Sequence, residues 1–550
     1  MRFTKKELKD IEVEAFGEFL DELEEEEKPQ KERTKPKEKE SFAETALYLI
    51  FEKGIELWQS EGKAYMTIEV DGHFENHLIR STKGRLYPGK VFYESVGKSL
   101  NKNALELVLS ELEAKAFFEG KEYPVFIRVG KDQDGYIFHD LCNKNWEVIR
   151  IGANGFWLDP NPPIKFVRNS GMLPLPYPDY PDNGLEHVEG ETSKDREKRE
   201  IDAYKESVDD ILSDLWQLLN LDDPDLDERS RLFVFSFLLS CLNYDGPFPI
   251  PLIGGEKGSA KSGMSRLLGQ IIDPKVAQLK SLPTKPQDLF VLGLNNWILA
   301  FDNNSGIPAD IADALCTIST GGGYGARGLY TDNEERSYNV CRPQLINGIG
   351  TLTNRPDLLD RVLKIFLRRI DSKTRMRDSE IKERFNEIHP YLLTILYTFV
   401  SNGLDKKDEM AISRLPRMAD FAFWVCSCVS DHPYAFFTQK DFIDQYKISE
   451  KETWKELLEN NKWCKAVIKY YEDNPLILEQ FPGELFDDLI EAEDVSRREL
   501  PDEYPKAEKH VITYIERNGD VFREAGNIDL VIGSKDGRRI IKINRLGKNT

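Results

Sequence analysis

A run of glycines set between an apolar stretch and an amphipathic one, FPIPLIGGEKGSAKSGMSRLLGQII, leaves this chain few folds to choose from. FPIPLIG predicts a short buried strand ending at Gly254, and MSRLLGQII predicts a helix. Between them lie Gly255, Glu256, Lys257, Gly258, Ser259, Ala260, Lys261, Ser262 and Gly263. Strand, glycine loop and helix in that order turn successive backbone N–H groups toward phosphate oxygens at a helix N-terminus. The usual pattern is GxxxxGK followed by Ser or Thr. Here Ala260 stands in the last glycine slot, which a helical or nearly helical backbone tolerates, and Gly258 keeps the middle of the loop free. Lys261 is placed to reach the β- and γ-phosphates, and Ser262 to set a hydroxyl on Mg²⁺. The expected cofactors are ATP and Mg²⁺, with residues 255–263 as the binding loop. A glycine-rich turn before a capped helix is the competing reading.

The residues downstream favour the phosphate reading. NNWILAFDNNSG predicts an apolar strand from Trp297 to Phe301 that ends on Asp302, forty residues after Ser262. A carboxylate at such a strand end holds Mg²⁺, usually through water. CRPQLINGIG ends another strand on Asn347, a side chain expected to reach the γ-phosphate or the attacking water. TNRPDLLDRVLKIFL supplies Arg355 and Arg361, and RLPRMADFAFW supplies Arg414 and Arg417. Arg361 is expected to cross a subunit boundary and neutralise charge on a neighbour's leaving phosphate, and Arg417 to fold back over the nucleotide as a lid contact. Asn303 follows the strand-end aspartate, where many ATPases carry Glu. An amide positions water but does not take its proton, so binding is better supported than rapid turnover. Glu334 and Glu335 are the spare carboxylates nearby in sequence.

Composition limits the partners. The formal net charge of -21 excludes a protein that coats DNA with a generally basic surface, though it leaves room for a local basic channel. The seven Cys form no CxxC pair, and the seven His are scattered, so no metal-ligand cluster is expected. No window is long and apolar enough to cross a bilayer and no signal segment opens the chain, so a cytoplasmic, non-membrane protein is expected.

Residues 1–41 read as a charged disordered tail, 42–170 as an α+β domain, and 171–200 as a linker. Residues 201–375 read as an α/β core with leading helices, 376–460 as a helical lid, and 461–550 as helices and a basic hairpin of winged-helix type. SFAETALYLIFEKGIELWQ has helical spacing, and Asp71-Gly72, Asp134-Gly135, Asn154-Gly155 and Asp536-Gly537 mark hairpin turns. Gly321, Gly322 and Gly323 read as a flexible turn. In RRIDSKTRMRDSEIKER the interspersed acids suggest pairing along a helix face. His73 and His139 read as structural.

Taken together, GGEKGSAKS, LAFDNNSG, LCTISTGGGYGARGLYTDNEE, PQLINGIG, RPDLLDR and RLPRMADFAFW resemble a group of phage and mobile-element ATP-binding proteins associated with primase-polymerases. Their core is similar to superfamily 3 helicases within the AAA+ class. The resemblance implies an α/β P-loop NTPase core, an N-terminal α+β domain and a C-terminal winged-helix-like domain. It also implies a homo-oligomeric ring moving on single-stranded or forked DNA, with a primase-polymerase as partner. Arg327 and Tyr330 would then sit near the mouth of the ring channel, the competing reading being a loop packed against the neighbouring core. Apart from the resemblance, Lys535, Arg538, Arg539, Lys542 and Arg545, opposed by Asp536, make the C-terminal hairpin locally basic, which reads either as a wing touching phosphate backbone or as a soluble face on a small packing domain. The alternative is an ATP-binding switch that recruits a primase with little or no hydrolysis.

Overall fold

The computed structural model describes residues 41–181, 193–327, 335–348, 352–353, 355–412, 416–492, 500–501 and 504–546. The charged tail expected over 1–41, Ser41 apart, lies outside them, as do Tyr330, Glu334 and Arg414. The described residues divide into two compact units, one within the ranges 1–54 and 80–113 and the other within 55–79 and 114–550. This division differs from the expected boundary at 170, because the strands that follow residue 114 share a core with the helices of the α/β region.

The smaller unit is helical. α1 (Phe42–Glu52) opens on a capping box, Ser41 Oγ accepting from the Glu44 N–H and a Glu44 carboxylate accepting from the Ser41 N–H. The helical spacing expected through residue 59 stops early: Gly54 turns the chain at φ 72, and Glu56–Ser60 pairs as a strand. α2 (Thr82–Val96) ends at Gly97 in the left-handed conformation. α3 (Lys102–Phe118) follows, and its Glu106 and Glu113 hold Arg80.

The larger unit begins with β1 (Glu56–Ser60), β2 (Lys63–Val70), β3 (His73–Leu78) and β4 (Lys121–Glu122), in the order β3-β2-β1-β4. β2 and β3 turn at Asp71-Gly72, both at positive φ, as a two-residue hairpin demands. β5 (Val125–Phe126) pairs with β10 (Lys165–Phe166), and between them β6 (Val129–Lys131), β7 (Ile137–Asp140), β8 (Val148–Gly152) and β9 (Gly155–Asp159) form an antiparallel meander.

After α4 (Ser193–Leu218) and α5 (Pro224–Cys241) comes the parallel sheet. Its strands are β11 (Ile250–Gly255), β12 (Leu299–Asn304), β15 (Gln344–Gly348) and β16 (Val362–Leu367), in the order β12-β15-β11-β16. A single parallel bridge from Lys280 to Phe301 adds an edge beyond β12. The helices threaded through it are α6 (Lys261–Ile272), α7 (Pro286–Asn295), α8 (Ala309–Thr320) and the short α9 (Pro356–Leu359). Gly322 and Gly323 are not a loose turn but part of β13 (Gly322–Arg327), paired with β14 (Glu335–Val340); only Gly321 has positive φ. The basic run after β16 is not helical until α10 (Asp378–Lys406) begins. α11 (Ala419–Val429), α12 (Gln439–Glu459) and α13 (Lys462–Asp473) follow. The chain then places α14 (Pro482–Ala492), α15 (Val511–Arg517) and α16 (Gly519–Glu524) around a sheet of β17 (Glu479–Gln480), β18 (Ile528–Lys535) and β19 (Arg538–Arg545), in the order β17-β19-β18.

Buried on both faces, the parallel strands are apolar almost throughout. Ile253, Leu363 and Ile365 pack with Trp216, Phe235, Leu268, Tyr397 and Trp424, and also with Ile137 and Ile151 of the meander. Ile250, Phe301 and Ile346 pack with Leu289, Ile311, Trp454, Trp463 and Ile541. The sheet is thus a layer between two helical shells.

α6 ends in a buried place, where its last carbonyls need donors. His389 Nε2–H donates to Ile271 O at 2.9 Å, and His139 Nε2–H to Ile272 O at 2.8 Å, while His139 Nδ1 accepts from the Tyr397 hydroxyl at 2.8 Å. Burial holds the His139 imidazole down to about 3 and that of His389 to about 4, so both rings are neutral. In the unfolded chain each takes a proton near its ordinary value of about 6.5. Across the interval between, the unfolded state binds more protons, so this stability is complete above about 6.5 and is lost as pH falls toward 4. The urea midpoint is expected to drop between pH 7 and pH 5, and the drop to be shallower in His389→Gln, which keeps an amide donor but does not titrate.

Candidate functional site

β11 carries the glycine loop at its C-terminal end, the edge of a parallel sheet where ligands bind in open α/β folds. Gly255 lies so close to β16 that a Cβ there would stand 2.3 Å from Leu367 O, and its φ of 146 is one that other residues rarely adopt. Gly258 turns the loop at φ 85. Glu256, Lys257, Gly258 and Ala260 are exposed, so the loop is open to solvent. Among the described residues, the backbone N–H groups of Lys257 through Ser262 find no acceptor. The loop is therefore a curl of free donors leading into the N-terminus of a twelve-residue helix.

Ala260 is left-handed, with φ 61 and ψ 30. The slot expected to be helical or nearly so is helical in the opposite hand, the conformation a glycine adopts without strain. Lys261 Nζ is folded back under the loop, donating to Gly255 O at 2.8 Å and Glu256 O at 2.9 Å, and Ser259 Oγ donates to Glu256 O at 2.9 Å.

Ser262 Oγ donates to Asp302 Oδ1 at 2.6 Å. The hydroxyl on the first turn of α6 and the carboxylate on β12 thus meet across forty residues. A hydroxyl and a carboxylate are hard oxygen donors, and with phosphate oxygens and water they fit Mg²⁺. Among the described residues, no group of three or more His, Cys, Asp or Glu is arranged to hold a metal ion by protein ligands alone.

Asn303, next in line, has φ 57 and lies where the pairing of β12 with β15 slips, between Phe301 and Asn304. The irregularity turns the Asn303 side chain out to solvent. Asn347 differs from expectation. Its side chain is 1% exposed, its Oδ1 accepts from the Asn303 N–H at 2.9 Å, and its Nδ2 donates to Ser265 Oγ at 2.8 Å. Both ends of the amide are engaged, so it clasps α6, β12 and β15 together instead of projecting toward a phosphate.

The expected arginines lie elsewhere. Arg361 precedes β16, and its carbonyl accepts from the N–H of Ile250 at 2.8 Å, at the start of β11. The strand between that point and Gly255 is roughly 17 Å long at about 3.3 Å per residue. Arg361 Nη1 donates to Asp357 O, and its Nε is buried with no partner among the described residues. Arg417 is paired with the nearly buried Asp360 and lies 3.9 Å from Asp357. The lid contact expected of Arg417 is thereby replaced: it joins Arg361 at the end of the sheet away from the glycine loop. Arg355 pairs with Asp313.

Arg327 is the last residue of β13, and its side chain lies outside the described residues. Arg538, Arg539 and Lys542 are exposed on β19, whereas Lys535 is bonded to Glu479 at 2.9 Å and Arg545 to Tyr471 O at 2.8 Å.

Several contacts at the loop have no pattern in the sequence. Asn220, between α4 and α5, donates to Ser259 O at 3.3 Å and Arg368 O at 2.7 Å. Arg375 Nη2 stands 3.5 Å from Gly258 O. The one available signal was the density of arginines in the run from Arg368 to Arg377, which read as a paired helix face.

The model of a family described as actinomycete integrative conjugative element replication protein matches residues 215–438, from the last turn of α4 to the approach to α12. No curated protein matches the chain. The chain is distantly similar to the NrS-1 C-terminal region in its A form apo structure, at 12% identity, covering 91% of this chain and 98% of that one, with a TM-score of 0.36. It is also similar to a full-length MCM homolog from Methanopyrus kandleri, at 12% identity, 68% and 94% coverage and a TM-score of 0.30. For JCV helicase with a bound small molecule the values are 11%, 46%, 77% and 0.21. No described helix is long and apolar enough to cross a membrane.

The backbone at Ala260 makes a test. A left-handed residue with a Cβ costs about 1 kcal/mol, partly offset by the greater unfolded freedom of glycine. Ala260→Gly is expected to leave Tm unchanged or slightly raised, and Ala260→Val to lower it, as read by thermal melting.

Proposed function

We propose that the chain binds ATP with Mg²⁺ on residues 255–263 and works as a ring-forming, DNA-directed ATPase of helicase type in the replication of a phage or mobile element. The observation that carries this reading is the bond from Ser262 Oγ to Asp302 Oδ1 at 2.6 Å, beside a loop whose N–H groups from Lys257 to Ser262 find no acceptor among the described residues. The similarity of residues 215–438 to a replication-protein family supplies the biological setting.

In this reading the loop amides receive the triphosphate, and Lys261 exchanges its two carbonyls for the β- and γ-phosphates. Ser262 and Asp302 would hold Mg²⁺, which when bound neutralises charge on the β- and γ-oxygens. Asn303 orients the attacking water through its exposed amide. Asn347 keeps Asn303 and α6 in register, a positioning role. Arg361, remote from its own loop, serves the nucleotide of a neighbouring copy, with Arg417 beside it. Arg327, Tyr330, Arg538, Arg539 and Lys542 are the proposed DNA contacts, and a primase-polymerase is the proposed partner. Asn303 in place of Glu supports a second reading, a switch that assembles on DNA with ATP bound and turns over little.

ATP turnover with and without single-stranded DNA, alongside mass in solution, separates the two. Lys261→Ala is expected to lose measurable ATP binding. Arg361→Ala is expected to bind ATP normally, lose about a thousandfold in turnover, and poison mixed assemblies. Normal hydrolysis by Arg361→Ala excludes the trans role.

Asn303→Glu adds a base where water is held. Turnover is expected to rise about ten- to a hundredfold, with a small fall in Tm because φ 57 suits Asn better than Glu. An unchanged rate would show that the amide is not what limits hydrolysis.

A further inference from the structure

We infer that Arg375 is a phosphate-binding arginine acting on the nucleotide of its own chain, beside Lys261. The inference rests on the reading of residues 255–263 as an ATP loop. β16 runs alongside β11 and ends opposite Gly255, with Leu367 as its partner. The segment that follows crosses beside the loop: Ile370 N–H reaches Gly258 O at 3.4 Å, and Arg375 Nη2 lies 3.5 Å from the same oxygen. A Cβ added to Gly258 would stand 3.3 Å from that nitrogen, so the guanidinium overlies the middle of the loop.

The backbone holds Arg375 from both sides. Asp371 closes a turn, its Oδ1 accepting from the Lys373 N–H at 2.9 Å and its carbonyl from the Thr374 N–H at 3.2 Å. Two residues beyond Arg375, the Arg377 N–H donates to a Glu380 carboxylate at 2.8 Å, fixing the start of α10. The side chain is less committed. A 3.5 Å contact to a carbonyl is at the limit of a hydrogen bond, and Arg375 is exposed.

Its neighbours are differently placed. Arg368 is held by Asp223 and Asp227, Arg377 by Glu380 and Arg384 by Asp214. Arg361 and Arg417 lie at the far end of the sheet. Among the described residues Arg375 pairs with no carboxylate, and its planar fork of donors matches phosphate oxygens. A bound triphosphate offers it anionic acceptors, which a guanidinium can grip with two parallel bonds, a short swing from a neutral carbonyl at the limit of bonding.

The test uses the full chain with ATP, ADP and AMP as probes, affinities read by calorimetry. Arg375→Ala is expected to weaken ATP and ADP by about ten- to a hundredfold, the range for bonds to a charged group. AMP affinity and the urea midpoint should stay as in the unaltered chain, and Arg375→Lys should recover part of the loss. Arg377→Ala removes the same charge two residues away and should leave ATP affinity intact. If Arg375→Ala binds ATP as the unaltered chain does, or if Arg377→Ala weakens it equally, the assignment of Arg375 falls. Should Lys261→Ala lose ATP while Arg375→Ala keeps it, only Arg375 is wrongly placed. No ATP affinity in the unaltered chain would bring down the nucleotide reading, and this inference with it.

Discussion

Asp273, sealed from solvent at the end of α6, is the joint on which the site depends. Its carboxylate accepts from Arg128 Nε at 3.0 Å, from Lys275 Nζ at 2.6 Å and from the Ile298 N–H at 3.0 Å. Arg128 is itself fully buried, and its other donors go to Asp140 O and Leu173 O at 2.9 Å. Removing one partner from such a network would strand a buried charge, a loss of about 3–5 kcal/mol. The attraction of Lys275 and Arg128 keeps Asp273 ionised below its ordinary range despite burial, which alone would raise it. The meander, the end of α6 and the start of β12 are therefore one rigid piece.

That joint has a counterpart at the other end. α6 and β12 carry the two candidate magnesium donors, and they are tied at three levels: Asp273 to the Ile298 N–H, Asn347 between Ser265 and Asn303, and Ser262 to Asp302. A hydroxyl and a carboxylate fixed on elements bound in three places need little reorganisation when a cation arrives. The glycine loop is the contrast. Among the described residues its amides from Lys257 to Ser262 find no acceptor and its lysine holds two loop carbonyls, so the loop is adaptable while the Ser262–Asp302 pair is not.

The loop, its helix and the Asp302 strand were legible because each obeys a local rule: a strand of apolar residues, glycines where backbone approaches backbone, an acid at a strand end. The place of Arg375 over Gly258, the clasp at Asn347 and the cap by His139 and His389 were not, since each is made by residues far apart in the chain. Arg361 and Arg417 were legible as arginines, but which end of the sheet they occupy is a matter of topology. The early end of α1 turned on Gly54, a signal present in the sequence but outweighed by apolar spacing that a strand also satisfies.

Asn303 shows how backbone and chemistry constrain one another. A residue at φ 57 sits in the region that Asn enters readily because its short amide bonds locally, whereas Glu gains nothing there. The slip in strand pairing that sets this φ also brings the Asn303 N–H onto Asn347 and turns the side chain outward. A Glu at 303 would keep the main-chain N–H that Asn347 accepts, but would take φ 57 without a short amide to bond locally. An amide is thus the side chain that φ 57 at the end of β12 accommodates most readily.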